Sequence, residues 1–461
     1  MQKGILVVLA SLILSADKVE TQPPNIYTFS GDVDLGVDYT AFISSGQHYI
    51  GARADTVYVV TSNGWTWCQK STDGGQTFGS PVRVNSTGAG YNPSMRVDTA
   101  GVVYVAYQDE FADIRFSKST DGGVSFTPGL KVNDDTIPTV GQEKPSIAVN
   151  NKGQVFIVWA DRRVTPWSTF AVASYDGGIT FTANAQVNEP GTGGTYADIA
   201  ADDSGRVYVL YQGGIVARSI DSGQSFPYRT YIIEPPWLLG FTSMAISGPL
   251  VGLFGPASRI VGDSLEITLR FTVSTNHAET FLPSVRVDDD TTGDYKLTIL
   301  QASVCFYKGT FFLSWREHLL TSSGMNRTDI FFSYSTDTGR TFAQNIRANP
   351  DSFRSHGWPS ITVSDFGKVY IAWLDLRNDP VFQSNYHTFV VRGEPALVKG
   401  DLNLDGLLTI ADVVMQLNAV FLSAPFPAPF ENADVNCDGL LKPADVVLEL
   451  WAVFLQEPFP C

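Results

Sequence analysis

The chain has 461 residues, with 47 acidic against 31 basic side chains and a formal net charge of −16. Such a surface disfavours nucleic acid, whose binding depends on basic contacts to phosphate, and points instead to cations. Four cysteines are too few for a disulfide scaffold. In chain order, the first feature is Lys3 followed by an apolar run from Ile5 to Leu14 and then Ser15-Ala16. This reads as a secretory signal peptide over 1–16, cleaved after Ala16, and implies a secreted, extracellular or cell-surface protein. The run is too short to cross a bilayer, and no later segment reaches 18 apolar residues, so no membrane span is expected.

From residue 17 to 392 the chain repeats. One octapeptide begins at Ser71, Ser119, Ser174, Ser219, Ser274 and Ser335, at spacings of 48, 55, 45, 55 and 61 residues. Five copies read S-x-D-x-G-x-[TS]-F; the Ser274 copy has Asn276 for Asp and Ala278 for Gly. A strand leads into each, the Asp can accept backbone amides two residues on, and the Gly supplies a positive φ. A period near 50 suits the four-stranded blade of a propeller. Around each octapeptide lie a P-S-φ-x-V strand (Pro93–Val97, Pro145–Val149, Pro359–Val363), a Gly turn, an aromatic-rich strand (Val103–Tyr107, Val155–Trp159, Val207–Tyr211, Val369–Trp373) and a short strand ending Val-Asn. Alternating apolar and polar positions in several of these predict half-buried antiparallel strands.

These units number seven. The last, Pro359–Arg392, lacks the octapeptide, and Asn25–Ser44 is expected to supply its outer strand, because an open edge invites aggregation. Six blades is the alternative; the poorly matching unit Thr242–Phe281 decides the count. The octapeptide resembles the Asp-box (BNR repeat) of the sialidase-like propellers. The resemblance implies an all-β propeller fold. The early strand Tyr49–Arg53 lacks the Arg-Ile-Pro motif of true sialidases, and neither their arginine triad nor their Tyr–Glu pair can be placed.

The links from second to third strands carry an acid, usually with Arg, after an aromatic: Asp109 after Tyr107, Asp161 and Arg163 after Trp159, Arg316 and Glu317 after Trp315, Asp375 and Arg377 after Trp373. Inter-blade links add Asp134, Asp135, Glu143, Asp288, Asp289, Asp290 and His356. Strand direction places all of these on the face opposite the octapeptides. Paired carboxylates beside Arg can perform glycosidic acid–base chemistry, and neighbouring aromatics can stack on sugars. The same pattern, repeated in register, equally fits inter-blade salt bridges. Asp109, Asp161, Arg163, Arg316, Glu317, Asp375 and Arg377 are therefore the candidate ligand face, with no catalytic residue assigned.

After a linker at 393–399, the segment Gly400–Cys461 holds nine acids against one base, Lys442, which is half the net charge. Asp401–Pro427 matches Asp434–Pro460 at an offset of 33. Each half begins D-x-N-x-D-G and has Asp at the twelfth position. Hard oxygen ligands at this spacing suit calcium. The ligands would be Asp401, Asn403, Asp405, the carbonyl of Leu407 and Asp412, then Asp434, Asn436, Asp438, the carbonyl of Leu440 and Asp445. Helices should follow, with Val413, Leu417 and Val420 on one face of the first and Val446, Leu450 and Val453 on one face of the second. The segment resembles a type I dockerin. That resemblance implies a small all-α domain with two calcium ions, a cohesin-type partner and a polysaccharide-degrading context. Ile410-Ala411 and Pro443-Ala444 stand where cellulosomal dockerins have small hydroxylated residues, which makes the docking surface more apolar. Cys437–Cys461 is a possible disulfide; Cys68 and Cys305 fall in different repeats.

Two functional readings follow: a non-catalytic recognition propeller tethered by its C-terminal module, or a secreted glycoside hydrolase delivered by it.

Overall fold

The strand Val103–Asp109 sends alternate side chains to different neighbours, the consequence of a two-residue period. In the computed structural model Val103, Val105 and Tyr107 pack into one apolar cluster, and Tyr104 and Ala106 into the next. The second strands are thus buried on both faces, and the expected polar alternation is replaced by near-continuous apolar runs. Six such clusters, each shared by neighbouring sheets, form the core. The described residues are 25–460, apart from 39–47, 136–140, 165, 196, 213, 290–300, 321–325, 352–355, 379–385, 396–398, 403–407, 427–429 and 456.

The β-region forms seven antiparallel sheets, a seven-bladed propeller. In blade 1 the order is Ile50–Arg53, Thr56–Ser62, Thr66–Ser71 and Val82–Arg83; blades 2 to 6 follow the same course. The weakly matching fifth unit forms a full blade, built on the long hairpin Leu250–Val261 and Ser264–Ser274. The seventh blade is closed as expected from the N-terminal side: Tyr27–Phe29 and Val33–Asp38 both pair with Tyr386–Pro395.

A ring of hydrogen bonds joins the innermost strands. The serine of two P-S pairs accepts the backbone amide of the next blade: Ser94 from Ile147 at 3.4 Å, Ser360 from Tyr49 at 3.2 Å. Ser243 and Ser303 do the same for Val304 and Ile361. Two positions of this ring are not serine. In blade 1 it is His48, whose carbonyl accepts from Met95. In blade 4 it is Asp198, whose carboxylate accepts from Met244 at 2.8 Å and from the Ser146 hydroxyl at 3.2 Å.

The octapeptides lie between third and fourth strands. Asp73 accepts the amides of Gln76 and Thr77, each at 3.0 Å, while Ser71 accepts the amide of Gly75. Asp121, Asp176, Asp221 and Asp337 repeat this arrangement, and Asn276 accepts the amide of Thr280 in the divergent copy. The Gly also meets the neighbouring blade. A Cβ on Gly178 would lie 2.3 Å from the Phe116 ring, and one on Gly339 would lie 2.2 Å from Phe271. Each of these Gly positions has φ near +80°, so one residue type answers both requirements. The terminal Phe226 and Phe342 are buried. The Val-Asn endings clip strands together: Asn85 accepts the amide of Thr66, Asn133 that of Ile114 and Asn188 that of Thr169, each at 2.8 Å.

In the C-terminal segment two helices, Ile410–Leu422 and Pro443–Leu455, pack together, with a short helix Phe430–Ala433 between them in sequence. Their buried faces match the expected ones at Val413 and Val446 and differ at Leu417, which is exposed. Asp412, Val413, Gln416 and Ala419 are buried in the first helix, and Asp445, Val446 and Glu449 in the second. Val414, Leu417 and Phe421, with Val447, Trp451 and Phe454, are exposed. Among the described residues no helix is long and apolar enough to cross a membrane.

Candidate functional site

Antiparallel pairing sets Gln142 opposite Asp161 and His356 opposite Asp375. The second-to-third links and the inter-blade links therefore share one rim, opposite the octapeptides. The acid–Arg pairs found there bind within a blade and its incoming link, rather than mainly between blades. In blade 3 the Trp159 indole donates to Asp161 at 2.9 Å, and Arg163 Nε donates to the same oxygen at 2.9 Å. Arg163 also binds Asp134 and lies over the Phe170 ring. In blade 7 the Trp373 indole donates to Asp375 at 3.2 Å, and Arg377 Nη2 pairs with Asp375 at 2.6 Å. Arg377 reaches Asp32 at 2.7 Å and lies over Phe389. The W-x-D-x-R phrase is thus a self-contained unit.

Blade 7 departs from blade 3 at the residue paired with the acid. His356 stands where blade 3 has Gln142. Its Nδ1 faces the Thr328 carbonyl, and its Nε2 faces Asp351 at 2.9 Å and Asp375 at 3.1 Å. Both nitrogens meet only acceptors, so both carry a proton and the ring is an imidazolium. Burial opposes that charge, but the hydrogen bonds to the two carboxylates outweigh it and push the imidazole up to about 9. Asp351 and Asp375 are held below the usual carboxylate range against the effect of burial, first by His356 and then by other partners, Arg377 among them. Asp32 is shifted up, because burial there outweighs Arg377. Among the described residues, Asp351, His356 and Asp375 are the one trio of potential metal-ligand side chains within 4.8 Å of one another. The imidazolium and the Arg377 guanidinium already supply the positive charge that this group of carboxylates calls for.

The other expected residues do not join this cluster. Asp109 accepts the amides of Phe111 and Asp113 and pairs with Arg115 at 2.6 Å within blade 2. Arg316 and Glu317 are successive residues of one strand and point to opposite sides. Glu317 accepts from the Trp315 indole at 3.3 Å. Burial lowers the Arg316 pKa, and its guanidinium lies beside Gly357 of blade 7. Asp134 and Asp289 accept the amides of Asn184 and Asn345 in the following blades. Asp288 accepts the amide of Leu269 and pairs with Arg286. Asp290 lies outside the described residues. The seven candidate residues are therefore spread over blades 2, 3, 6 and 7.

A different sector of the rim was not singled out from the sequence. The blade 1 turn carrying Trp65 is bonded to blade 2, where the amide of Gly90 donates to the Gly64 carbonyl at 3.1 Å. Gly90 pairs with Asp109, whose carboxylate holds the Phe111 amide. Trp65, Tyr91 and Phe111 are 39%, 38% and 69% exposed on this sector, and Arg83 stacks over Trp65 at 3.5 Å. Blade 3 adds Trp167 under Arg162 at 4.0 Å. The signal available in sequence was aromatics at turn positions where small polar residues are usual.

In the C-terminal segment the loop 434–445 is fully described. Asp434 accepts the amides of Asp438 and Gly439; Asn436 and Asp438 each accept an amide two residues on. Asp445 accepts the amides of Asn436 and Lys442. The donor set is all oxygen, which fits calcium. In the first loop Asp401 and Asp412 are buried, while Asn403, Asp405 and Leu407 lie outside the described residues. Cys437 is disulfide-bonded and Cys68 and Cys305 are free; Cys461 lies outside the described residues. The expected leader, 1–16, lies outside them as well.

No protein-family model matches the chain, and no curated protein matches it. Solved structures do. A fungal alcohol oxidase of the AA5 family, in complex with copper, aligns at TM-score 0.52 and 12% identity over 82% of this chain and 78% of its own. An alpha-L-arabinanase from Penicillium chrysogenum, complexed with arabinobiose, aligns at TM-score 0.45 and 14% identity over 79% and 98%. A polysaccharide lyase aligns at TM-score 0.46 and 11% identity over 76% and 90%. At such identities these likenesses bear on the fold alone; the seven sheets themselves set the class, a β-propeller.

Proposed function

We propose that the protein is a secreted glycan-recognition propeller tethered through its C-terminal module. The observation that carries this reading is the exposed aromatic sector of Trp65, Tyr91 and Phe111 beside Arg83. Rigid aromatic faces with a polar neighbour suit sugar rings, and they lie on loops whose frame is fixed by the blades. The rim acids support recognition over catalysis, since Asp109, Asp161 and Asp375 each have a guanidinium partner. A glycan array on the full-length protein, with a hydrolysis assay on every hit, tests this. Binding without turnover that is lost in Trp65→Ala and Phe111→Ala is expected. Binding that survives both changes would overturn it.

A second reading, a secreted glycoside hydrolase of sialidase-like fold acting on O-glycosyl bonds, is favoured by one observation. Asp351 and Asp375 both bind His356 Nε2, at 2.9 and 3.1 Å, so two carboxylates share one proton donor. Turnover abolished by His356→Gln with binding retained would establish it.

For the tail, the reading is a dockerin-like domain. Asp434, Asn436, Asp438, the Leu440 carbonyl and Asp445 would hold one calcium, and the equivalent residues from Asp401 to Asp412 a second. The ion would offset the mutual repulsion of these acids and fix the loops. The exposed Val414, Leu417, Phe421, Val447, Trp451 and Phe454 would meet a cohesin-type partner. Calcium-dependent capture of a cohesin by the full chain, lost in Trp451→Ala, tests this.

A further inference from the structure

The central channel carries an asymmetry unrelated to the rim. Two residues after each position of the hydrogen-bonded inner ring, the seven blades present Ile50, Arg96, Ala148, Ala200, Ala245, Cys305 and Thr362. All seven line one cavity of about 240 Å³. Six of the seven are apolar, small or neutral; Arg96 is the one charge. Its guanidinium donates to the carbonyl of Met95 at 3.0 Å, and among the described residues it forms no ion pair. Asp198 is the carboxylate whose charge acts on it, but its oxygens are already committed. Oδ1 accepts from Ser146 and Ile199, and Oδ2 from Met244 and His48. Arg96 is half-buried in the channel wall, and burial lowers its pKa against the opposing pull of Asp198.

A guanidinium without a carboxylate partner can receive one, and its planar fork matches an oxyanion with two coplanar oxygens. Beyond Arg96 the walls are largely apolar, with Val97, Ile199, Ile246 and Val304 among them. A water molecule occupies about 30 Å³ of liquid, so the cavity has room for a carboxylate and a short chain. We propose that the channel is a binding site for a short-chain monocarboxylate, its carboxylate on Arg96 and its alkyl body against the aliphatic wall. The site is independent of the rim: it lies below the inner ring, toward the octapeptide face, and uses none of the aromatic sector.

The test is calorimetric titration of the full-length protein with butyrate, phosphate and chloride at constant ionic strength. Saturable one-to-one binding of butyrate is expected, with phosphate and chloride weaker by at least tenfold because neither fills the apolar part. Arg96→Met should weaken butyrate binding at least tenfold. Ala200→Leu should do the same by occupying the cavity without touching the guanidinium, and it decides the matter if Arg96→Met fails to fold. No saturable binding of butyrate to the unaltered protein, or unchanged affinity in a folded variant, would overturn the site. Phosphate or chloride binding as tightly as butyrate would overturn the carboxylate assignment.

Discussion

His48 and Asp198 meet 3.4 Å apart across the central channel, at the two places in the inner ring where the other five blades carry serine. The pair shows how the ring is held. Each joint needs an acceptor for the next blade's amide, and the residue type is free only if that need is met. Ser360→Ala would leave the Tyr49 amide without its acceptor at the joint that closes the ring, at a cost of about 1–3 kcal/mol. Asp198→Ala would remove the acceptor of four donors and should cost more. Chemical denaturation of both variants checks the order; equal midpoints would contradict the ring's role.

The two buried histidines should give stability opposite pH slopes. The His356 imidazole is raised to about 9, so its contribution is fully present below the unfolded value near 6.5 and is lost as pH rises toward 9. His48 is lowered, by burial and then by Arg96, so its contribution is present above about 6.5 and lost as pH falls below it. His356→Gln, which copies Gln142 of blade 3, should flatten the alkaline decline in Tm. His48→Gln should flatten the acid one. A Tm profile from pH 5 to 10 that keeps both limbs in both variants would count against this account.

Gly153 and Gly178 both have positive φ, +72° and +84°, but only Gly178 faces an aromatic ring at close range. Gly153→Ala should cost about 1–2 kcal/mol from backbone strain alone. Gly178→Ala should cost about 1–3 kcal/mol more, because the Phe116 ring must move. Equal costs would show that the octapeptide glycine serves only the turn.

Replacing Asp121 by Ala should lower Tm and leave glycan binding unchanged. Its carboxylate is held below the usual range by Ser125, through hydroxyl and amide, and by Ser119. Stability from this group is present above the unfolded value near 3.9 and is lost on acidification below it. A variant with unaltered Tm and lost binding would make the octapeptide a site.

Chelation of calcium should reduce the helical circular dichroism signal of the full chain and spare its β-signal, and Asp445→Asn should weaken calcium binding at least tenfold. The basis is a loop whose candidate ligand side chains are all carboxylates or an amide, beside a buried Glu449 pushed up to about 8 by burial and by Asp412 and Asp445. Identical helicity with and without calcium would remove the metal from the account.

The repeat by itself determined the blade and the closure by the N-terminal strand; it favoured seven blades over six, and the long hairpin of the fifth unit decided the count. Those features depend on local chemistry: an Asp that accepts nearby amides, a Gly that permits positive φ, and apolar runs of strand length. It also placed Asp375, Arg377 and His356 on one rim. The sequence could not show that Asp161 and Arg163 satisfy each other within blade 3, nor that Trp65, Tyr91 and Phe111 share a sector. It could not show that Arg96 enters a channel whose other six equivalent positions carry no charge. Those are relations between blades tens to hundreds of residues apart. Only closure of the ring sets which side chains become neighbours, and therefore which charges are compensated and which are left for a ligand.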